Sequence, residues 1–513
     1  MSTSTVDDGA VHGKQLAFIF AGLLLAMFVS SLSETIAATA LPTIVGDLGG
    51  VEIMQWVTTA YILASTITMP IYGKVGDIIG RKFLLISALV LYALGKIVCG
   101  LSVNMAMLLT GRLISGLGGG GLIILSQAAI ADVVPPRKRG LYLGVMGSVF
   151  TVSNVLGPLL GGWFVETLGW RWIFWFTVPL AGLAILALAV FLKQPSLHGK
   201  HLTFDWQGSA VMAVGVTALV LAMTWGGEVY AWLSWQIMGL LVLFAVACVV
   251  FVMVERHVSQ PIIPMGLFHD RNFNLCAIVA LLVNVSFMGT VNYLPTYFQI
   301  VDRMSPELAG LMVTPLSVGI FITSTATGWI AGKTGKYKWM PLAMCAVCAV
   351  GFYLMSLMYV GEPVFLPLLY LFILGFGLGL GTQILVLIVQ NEFPQSHVGT
   401  ATAANNFFRQ IGATVGASLV GTLFTNRLTA NLADKLPAAD HISLATLTPS
   451  VVDKLPDSLQ SVVATGYSDA LVPLFLYFVP VMIGCLVLMM FLEKHPLAKT
   501  INHSGHGQGK SLK

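Results

Sequence analysis

Charged residues are scarce in this chain: Asp, Glu, Lys and Arg make up 9% of its 513 residues, while 57% are hydrophobic. A soluble domain carries about 25% charged residues, which help to cover its surface in water. The mean hydropathy of +0.87 points the same way. The composition therefore excludes a soluble globular protein and predicts an all-α integral membrane protein with many spans.

Cysteine is also scarce, with six residues that all lie in apolar runs, so neither a disulfide framework nor a zinc site is expected. The basic residues are dispersed and the net charge is only +4, which argues against a nucleic-acid partner. No Ser–His–Asp, Cys–His or metal constellation supports an enzyme. The stretch GKT at 332–334 lacks the glycine that a phosphate loop needs at Thr327. We therefore expect no cofactor, no metal and, within this chain, no nucleotide-driven pump.

Fourteen apolar runs approach or exceed the roughly twenty residues that a membrane-spanning helix needs. The first exceeds the apolar region of a cleaved signal peptide, so we expect it to be retained. The loops on the same side of the membrane as the N-terminus, together with both tails, hold eighteen basic residues. The loops on the other side hold five. This bias predicts a multi-pass protein of the cell membrane with both termini in the cytoplasm. The runs lie near 15–41, 54–73, 83–101, 105–131, 140–164, 170–192, 207–225, 234–254, 273–300, 306–332, 339–360, 364–390, 398–425 and 469–492.

The chain repeats itself at an offset of 259 residues. STITMPIYGKVGD at 65–77 matches STATGWIAGKTGK at 324–336 in seven of thirteen positions. The glycines of the fourth and fifth runs fall on those of the twelfth and thirteenth at the same offset. Two parallel six-helix halves with a substrate site between them are the layout of the major facilitator fold. The predicted division is a tail at 1–14, a half at 15–192, a linker with two additional helices at 193–272, a half at 273–492 with a long extracellular loop at 426–468, and a tail at 493–513.

One acid lies deep inside an apolar run. Glu34, in LSETIAATALP at 32–42, and Arg112 each lie about seven residues from the outer end of their helices, or roughly 10 Å deep. An embedded carboxyl is either neutral, or ionised beside a cation. A group poised between these states can exchange a proton for a cationic substrate, whereas the alternative is a structural Glu–Arg pair. Lys96 has a similar depth. It could compete with Arg112 for Glu34 or extend its ammonium toward the membrane surface, and we expect the second.

Two glycine-containing segments also stand out. GKVGDIIGRKF at 73–83 places Gly73, Asp77, Gly80 and Arg81 in a basic connection where a tight turn and ion pairs can form. The alternative for this segment is an ordinary basic inside loop. GSVFTVSNVLGPLLGG at 147–162 carries small residues and a proline, which allow close helix packing and a bend. Its glycine–proline ending comprises Gly157, Pro158, Gly161 and Gly162.

Together these segments resemble the major facilitator superfamily, and within it the fourteen-helix drug:proton antiporters, which include multidrug and quaternary-ammonium exporters. The resemblance implies that Asp77 and Arg81, with Asp132 at the end of helix 4, form a conformational latch. It also implies that Arg112 takes part in proton transfer and that the ending at 157–162 is an antiporter motif. The family usually has Asp where Glu34 stands. The second copy of the loop has Lys336 in place of the latch acid.

Other polar residues inside the helices are candidates to line a cavity, although a hydrogen bond between helices is the commoner role for such a residue. Tyr293 falls at the repeat position of Glu34. The candidates are Tyr61, Gln127, Asn154, Asn292, Tyr293, Gln299, Asn405, Asn406 and Arg409.

The predicted function is proton-coupled export of a small hydrophobic, cationic compound by a monomer embedded in a lipid bilayer. Glu34 and Arg112 are the predicted residues of proton coupling and substrate binding. Two alternatives stay open at this point. The first is export of a neutral or anionic metabolite or antibiotic on the same scaffold. The second is a membrane sensor without transport activity.

Overall fold

A computed structural model describes residues 13–50, 53–192, 204–227, 229–432, 452 and 455–497. Parts of the expected tails, residues 433–451, 453 and 454 of the expected 426–468 loop, and the start of the linker at 193–203 lie outside these residues. The described chain forms fourteen helices and no β-strand, as the apolar runs predict. They are α1 Lys14–Leu48, α2 Trp56–Ile79, α3 Arg81–Gly100, α4 Met105–Val133, α5 Pro136–Thr167, α6 Trp172–Phe191, α7 Trp206–Trp225, α8 Trp235–His257, α9 Arg271–Ile300, α10 Pro306–Thr334, α11 Trp339–Met355, α12 Phe365–Glu392, α13 Val398–Leu432 and α14 Asp457–Met490.

Eleven of these helices are long and apolar enough to cross a membrane by length and composition alone. Among the other three, α11 has 17 residues, whereas α2 and α13 are long enough but more polar. Both of these polar helices pack against the opposite half of the molecule. Polar side chains on these contact surfaces can face protein rather than lipid, which is consistent with the lower hydropathy of the two helices.

The packing of the helices confirms the internal repeat. Helix α1 packs on α5 as α9 packs on α13, and α4 packs on α2 and α3 as α12 packs on α10 and α11. Repeat-related glycines face equivalent neighbours: Gly116 of α4 lies against the backbone of α2, and Gly375 of α12 against the backbone of α10. A Cβ at either position would overlap these backbones, so glycine permits the close approach.

The two halves meet through α2 with α13 and through α5 with α10. Gly73 of α2 contacts Ala403 of α13, and Gly140 of α5 contacts Gly328 of α10. These four positions lie toward the helix ends that carry the basic connection at 73–83 and its copy at 332–338, and we call this end of the molecule the basic face. The described halves are therefore closed against each other at the basic face.

Helices α7 and α8 form a pair beside the two halves. They pack on each other, and α7 also contacts α2 and α13. Trp232, in their connection, donates a hydrogen bond to Thr422 of α13 at 3.0 Å. Only 11% of the apolar stretch of α8 is buried, so its other surfaces are suited to lipid contact.

Several segments differ from the expected helix boundaries. Helix α1 continues to Leu48. Helix α2 continues through Ile79 and α3 begins at Arg81, so the expected connection at 73–83 is helical except at Gly80. Helix α9 is interrupted at Asn292 and Tyr293, and it restarts at Leu294 with Pro295 in its first turn, where the missing N–H of proline is tolerated. The loop expected at 426–468 is shorter in the structure, because α13 continues through Leu432 and α14 begins at Asp457.

Candidate functional site

A buried ion-pair cluster lies on the basic face, and we call it the basic-face latch. Arg81 lies between two carboxylates: it donates to Asp77 Oδ1 at 2.7 Å and to Asp132 Oδ1, and also to the carbonyl of Ala128 at 2.7 Å. Gly80 has φ +93°, a backbone conformation that glycine adopts without strain. This turn between α2 and α3 places Arg81 against the end of α4.

Asp77 also binds the other half of the molecule. It accepts hydrogen bonds from the backbone N–H of Gly399 at 3.0 Å, from the N–H of Thr400 at 2.7 Å and from the Thr400 hydroxyl at 2.8 Å. The two N–H groups belong to the first turn of α13, so they have no partner within the helix. A negative charge is favourable at this end of a helix. The carboxylate of Asp77 therefore acts as a helix N-cap supplied by the opposite half.

A second connection on the basic face has the opposite polarity. Arg137, at the start of α5, donates to the carbonyls of Gly332 at 3.2 Å and Lys333 at 3.1 Å, in the last turn of α10. A cation is favourable at a helix C-terminus. Thus α2 supplies an anion to the start of α13, and α5 supplies a cation to the end of α10. Lys336, which replaces the acid in the second copy of the loop, is exposed.

Gln395 joins this cluster from the connection between α12 and α13. Its amide donates to Asp132 Oδ1 at 2.6 Å and to the Ala131 carbonyl at 2.8 Å, and its Oε1 accepts from Arg139 at 3.2 Å. Sequence reasoning missed Gln395, Arg137 and Arg139, because no local pattern indicates which polar side chain of a connection reaches the other half.

Glu34 and Arg112 lie at the same level of the membrane segment but do not form an ion pair. Arg112 is buried in α4, where it donates to the Val57 carbonyl at 2.6 Å and to the carbonyl and hydroxyl of Ser33 at 3.2 and 3.1 Å. Glu34, one residue further along α1, is half-buried. Within the part of the chain that the structure describes, no carboxylate lies within ion-pair distance of Arg112. The two charges therefore interact through space rather than by a direct contact.

A cation from the other half also faces Glu34. Arg409 of α13 is half-buried, and its guanidinium lies 5.3 Å from the ring centre of Phe150 on α5. Arg112, Arg409 and Lys96 all interact electrostatically with the carboxyl of Glu34. The sequence expectation that Lys96 extends to the membrane surface is wrong, because the side chain is fully buried.

The glycines of α5 determine how closely this helix approaches α1 beside Glu34. A Cβ at Gly157 would overlap the hydroxyl of Thr35, and a Cβ at Gly161 would overlap the hydroxyl of Thr39. By contrast, a Cβ at Gly162 would meet no atom within 4 Å beyond its own stretch of helix. Pro158 is exposed. Two of the four motif residues therefore permit the close contact of α5 with the residues that follow Glu34 on α1.

Four polar candidates are buried in protein contacts. Tyr61 lies under Arg112, with 4.7 Å between its ring centre and the guanidinium carbon. Asn406 of α13 donates to Gln127 Oε1 of α4 at 2.9 Å, which joins the two halves, and Asn405 is buried beside it. In this conformation these residues connect helices rather than line an open cavity.

The remaining candidates are more accessible. Asn154 and Asn292 are exposed. Tyr293 is half-buried, and its ring centre lies 5.4 Å from that of Phe424. Gln299 donates within its own helix, to the Pro295 carbonyl at 3.2 Å. Among the nine cavity candidates, Asn406 and Gln127 are joined by a direct hydrogen bond.

The sequence matches the family model described as Major Facilitator Superfamily over residues 23–417. An uncharacterized MFS-type transporter of Mycobacterium tuberculosis strain H37Rv is 39% identical over 479 residues, which cover 93% of this chain and 70% of that protein. Multidrug transporter protein MdtP of Bacillus subtilis strain 168 is 34% identical over 456 residues, which cover 87% of this chain and 84% of that protein.

Among solved structures, the human organic anion transporter MFSD10 superimposes with a TM-score of 0.61 at 15% identity, covering 93% of this chain and 100% of that one. This likeness concerns the fold alone. Together with the family match and the relatives, the fourteen helices and the internal repeat lead to one conclusion: the chain belongs to the major facilitator superfamily.

Proposed function

We propose that this protein is a proton-coupled exporter of hydrophobic, cationic compounds, which cross the membrane chemically unchanged. In this proposal it works as a monomer in the cell membrane, with its basic face and both termini in the cytoplasm. The observation that carries the proposal is the position of Glu34. It is a carboxyl at membrane depth, half-buried, without an ion-pair partner among the described residues, and close enough to Arg112 and Arg409 to interact with them.

The relatives support export, and the glycine packing supports a connection between Glu34 and the movement of the two halves. MdtP is named a multidrug transporter. The close contact of α5 with α1 at Gly157 and Gly161 couples the turn next to Glu34 to α5, a helix that also forms the inter-half contact with α10. A change in the charge of Glu34 can therefore be transmitted to the surface along which the two halves separate.

The proposed cycle uses the two protonation states of one carboxyl. When the basic face is open, ionised Glu34 binds a cation from the cytoplasm. When the basic face closes, as in this structure, Glu34 takes up a proton from outside and loses its attraction for the cation, which leaves. The proton is released to the cytoplasm after the molecule reopens. Competition between a proton and a cation for one carboxylate is sufficient to couple the two fluxes.

One observation favours a second candidate, export of an anionic compound. Glu34 is a single acid in the field of three cations: Arg112, Arg409 and Lys96. With Glu34 protonated, this region is strongly positive and would attract an anion. The two candidates differ in the charge of the transported compound. They also differ in whether ionised Glu34 attracts or repels that compound, so one experiment distinguishes them.

The experiment compares wild type with Glu34→Gln, which keeps the size of the side chain and removes its titration. Inverted vesicles with an imposed proton gradient are tested for uptake of tetraphenylphosphonium and of an organic sulfonate dye. We expect wild type to accumulate the cation until an uncoupler is added, and Glu34→Gln to lose this accumulation while it reaches the membrane normally. Glu34→Asp, which retains the titration, should keep partial activity.

Uphill cation transport by Glu34→Gln at the wild-type rate would refute the role of Glu34. Accumulation of the sulfonate alone, with no effect of the uncoupler on the cation, would favour the second candidate. Cation export that survives collapse of the gradient but stops without ATP would refute proton coupling itself.

A further inference from the structure

Lys96 of α3 is a buried cation that the proposed cycle does not use. Its side chain is 0% exposed, and it lies within the membrane-spanning part of the helix. A buried ammonium is costly unless other groups replace its hydration. Among the described residues no carboxylate lies within ion-pair distance of Lys96. The groups that surround its amino group are therefore of other kinds.

Three aromatic rings surround the ammonium. Its Nζ lies 5.1 Å from the ring centre of Tyr92, 5.3 Å from that of Phe174 and 5.7 Å from that of Tyr61. Rings at such distances attract a cation through their negative faces. The rings come from α3, α6 and α2, so the site is formed by three different helices. Because all three aromatic residues are buried, the cage is part of the packed half rather than a surface feature.

The ammonium donates its hydrogen bond to the hydroxyl of Ser33 on α1. The same oxygen accepts a second hydrogen bond from Arg112 at 3.1 Å, and Arg112 also donates to the Ser33 carbonyl at 3.2 Å. A serine hydroxyl has two acceptor lone pairs, and these two cations use both. Lys96 and Arg112 are therefore fixed to one turn of α1, and the next residue of that turn is Glu34.

We propose that Lys96 is a positioning residue for Glu34. Its caged ammonium holds Ser33 and Arg112 in place, and its charge contributes to the field in which Glu34 exchanges its proton. This role rests on the proposed function, since it presupposes that Glu34 titrates during transport. It differs from a space-filling role, which an apolar side chain of similar length would also perform.

The test measures binding of tetraphenylphosphonium to purified protein in lipid nanodiscs as a function of pH. Binding should rise with pH as Glu34 ionises. In Lys96→Met the midpoint should move to higher pH by roughly one unit, because a carboxylate that loses a nearby cation holds its charge less well. Lys96→Arg keeps the charge, so its midpoint should differ from the wild-type midpoint by less than half of the shift seen in Lys96→Met. If Lys96→Met does not fold, Lys96→Gln is measured instead.

Lys333→Met is the matched control, because Lys333 also lies over an aromatic ring, at 4.8 Å from the centre of Trp329, but is exposed on the basic face. Its midpoint should equal that of wild type. If wild type binds with a pH midpoint and Lys96→Met leaves it unchanged, the positioning role is refuted and the proposed function stands. If wild-type binding does not depend on pH, the proposed function fails, and the role of Lys96 fails with it.

Discussion

Replacing Asp77 by Asn should open the basic face. The Asp77 carboxylate accepts hydrogen bonds from Arg81 within its own half and three from Gly399 and Thr400 of the other half. Only the contacts to Gly399 and Thr400 break when the halves separate. The contact to Arg81 persists, because both residues belong to the α2–α3 corner. The substitution therefore weakens the closed state specifically, rather than the fold of either half.

The magnitude follows from the three contacts to α13. An amide keeps one acceptor oxygen, so at least one of these hydrogen bonds is lost, and its NH2 group then faces donors of the helix N-terminus. A charge-assisted hydrogen bond contributes about 1.5–3 kcal/mol. We therefore expect the closed state to lose about 2–3 kcal/mol relative to the open state, which is roughly a 30- to 150-fold change in their ratio.

Double electron–electron resonance measures this ratio directly. Spin labels at Lys138 and Lys336 lie on exposed positions of opposite halves at the basic face. The exposed Cys248 is replaced by Ser, while the other five cysteines are buried. Wild type should show mainly the short distance. Asp77→Asn should show a large population at a longer distance, together with poor transport.

Asp47→Asn is the matched control. Asp47 pairs with Arg171 at 3.0 Å at the opposite end of the molecule, and both side chains are substantially exposed, so this pair contributes little to stability. Its distance distribution at the basic face should equal that of wild type. An unchanged distribution in Asp77→Asn would show that the latch does not control closure and that the connection at 73–83 is only an ordinary basic loop.

Two further predictions concern packing and pH. Gly157→Val should abolish export and destabilise the fold by about 1–3 kcal/mol, because its side chain would overlap Thr35. Gly162→Val should do neither. Equal effects of the two substitutions would contradict the packing argument. Burial and the charge of Asp302 raise the pKa of Glu362, in the α11–α12 connection, to about 7 from 4.5. The folded protein thus binds this proton more tightly, and its stability should fall as pH rises from 4.5 through about 7. Glu362→Gln should flatten this dependence of the thermal midpoint, and an unchanged slope would refute the assignment.

Much of the fold could be predicted from the sequence. The length of a membrane-spanning helix follows from the thickness of the hydrocarbon core, so each apolar run predicts a helix by itself. The offset of 259 residues likewise predicts two similar halves, and the structure pairs their helices accordingly. The two polar helices α2 and α13 are harder to predict. Their remaining apolar residues indicate that they are helices, but the sequence does not show that they lie between the two halves.

The site was predictable in its members but not in its contacts. The sequence indicated Glu34 and Arg112, because a charge at membrane depth is rare, whereas the resemblance to the family implied the latch residues. It could not show that Arg112 turns toward Ser33 instead of Glu34, since the choice depends on carbonyls and hydroxyls of three other helices.

Lys96 shows what the tertiary structure decides. Its position in α3 allowed two outcomes, an ammonium extended to the membrane surface or one held inside the protein. The sequence by itself determined that a cation enters the membrane segment. The rings of Tyr61 and Phe174, 35 and 78 positions away along the chain, determined that it stays buried. An aromatic cage forms only when distant helices meet, so its effect on Lys96 exists only in the folded half.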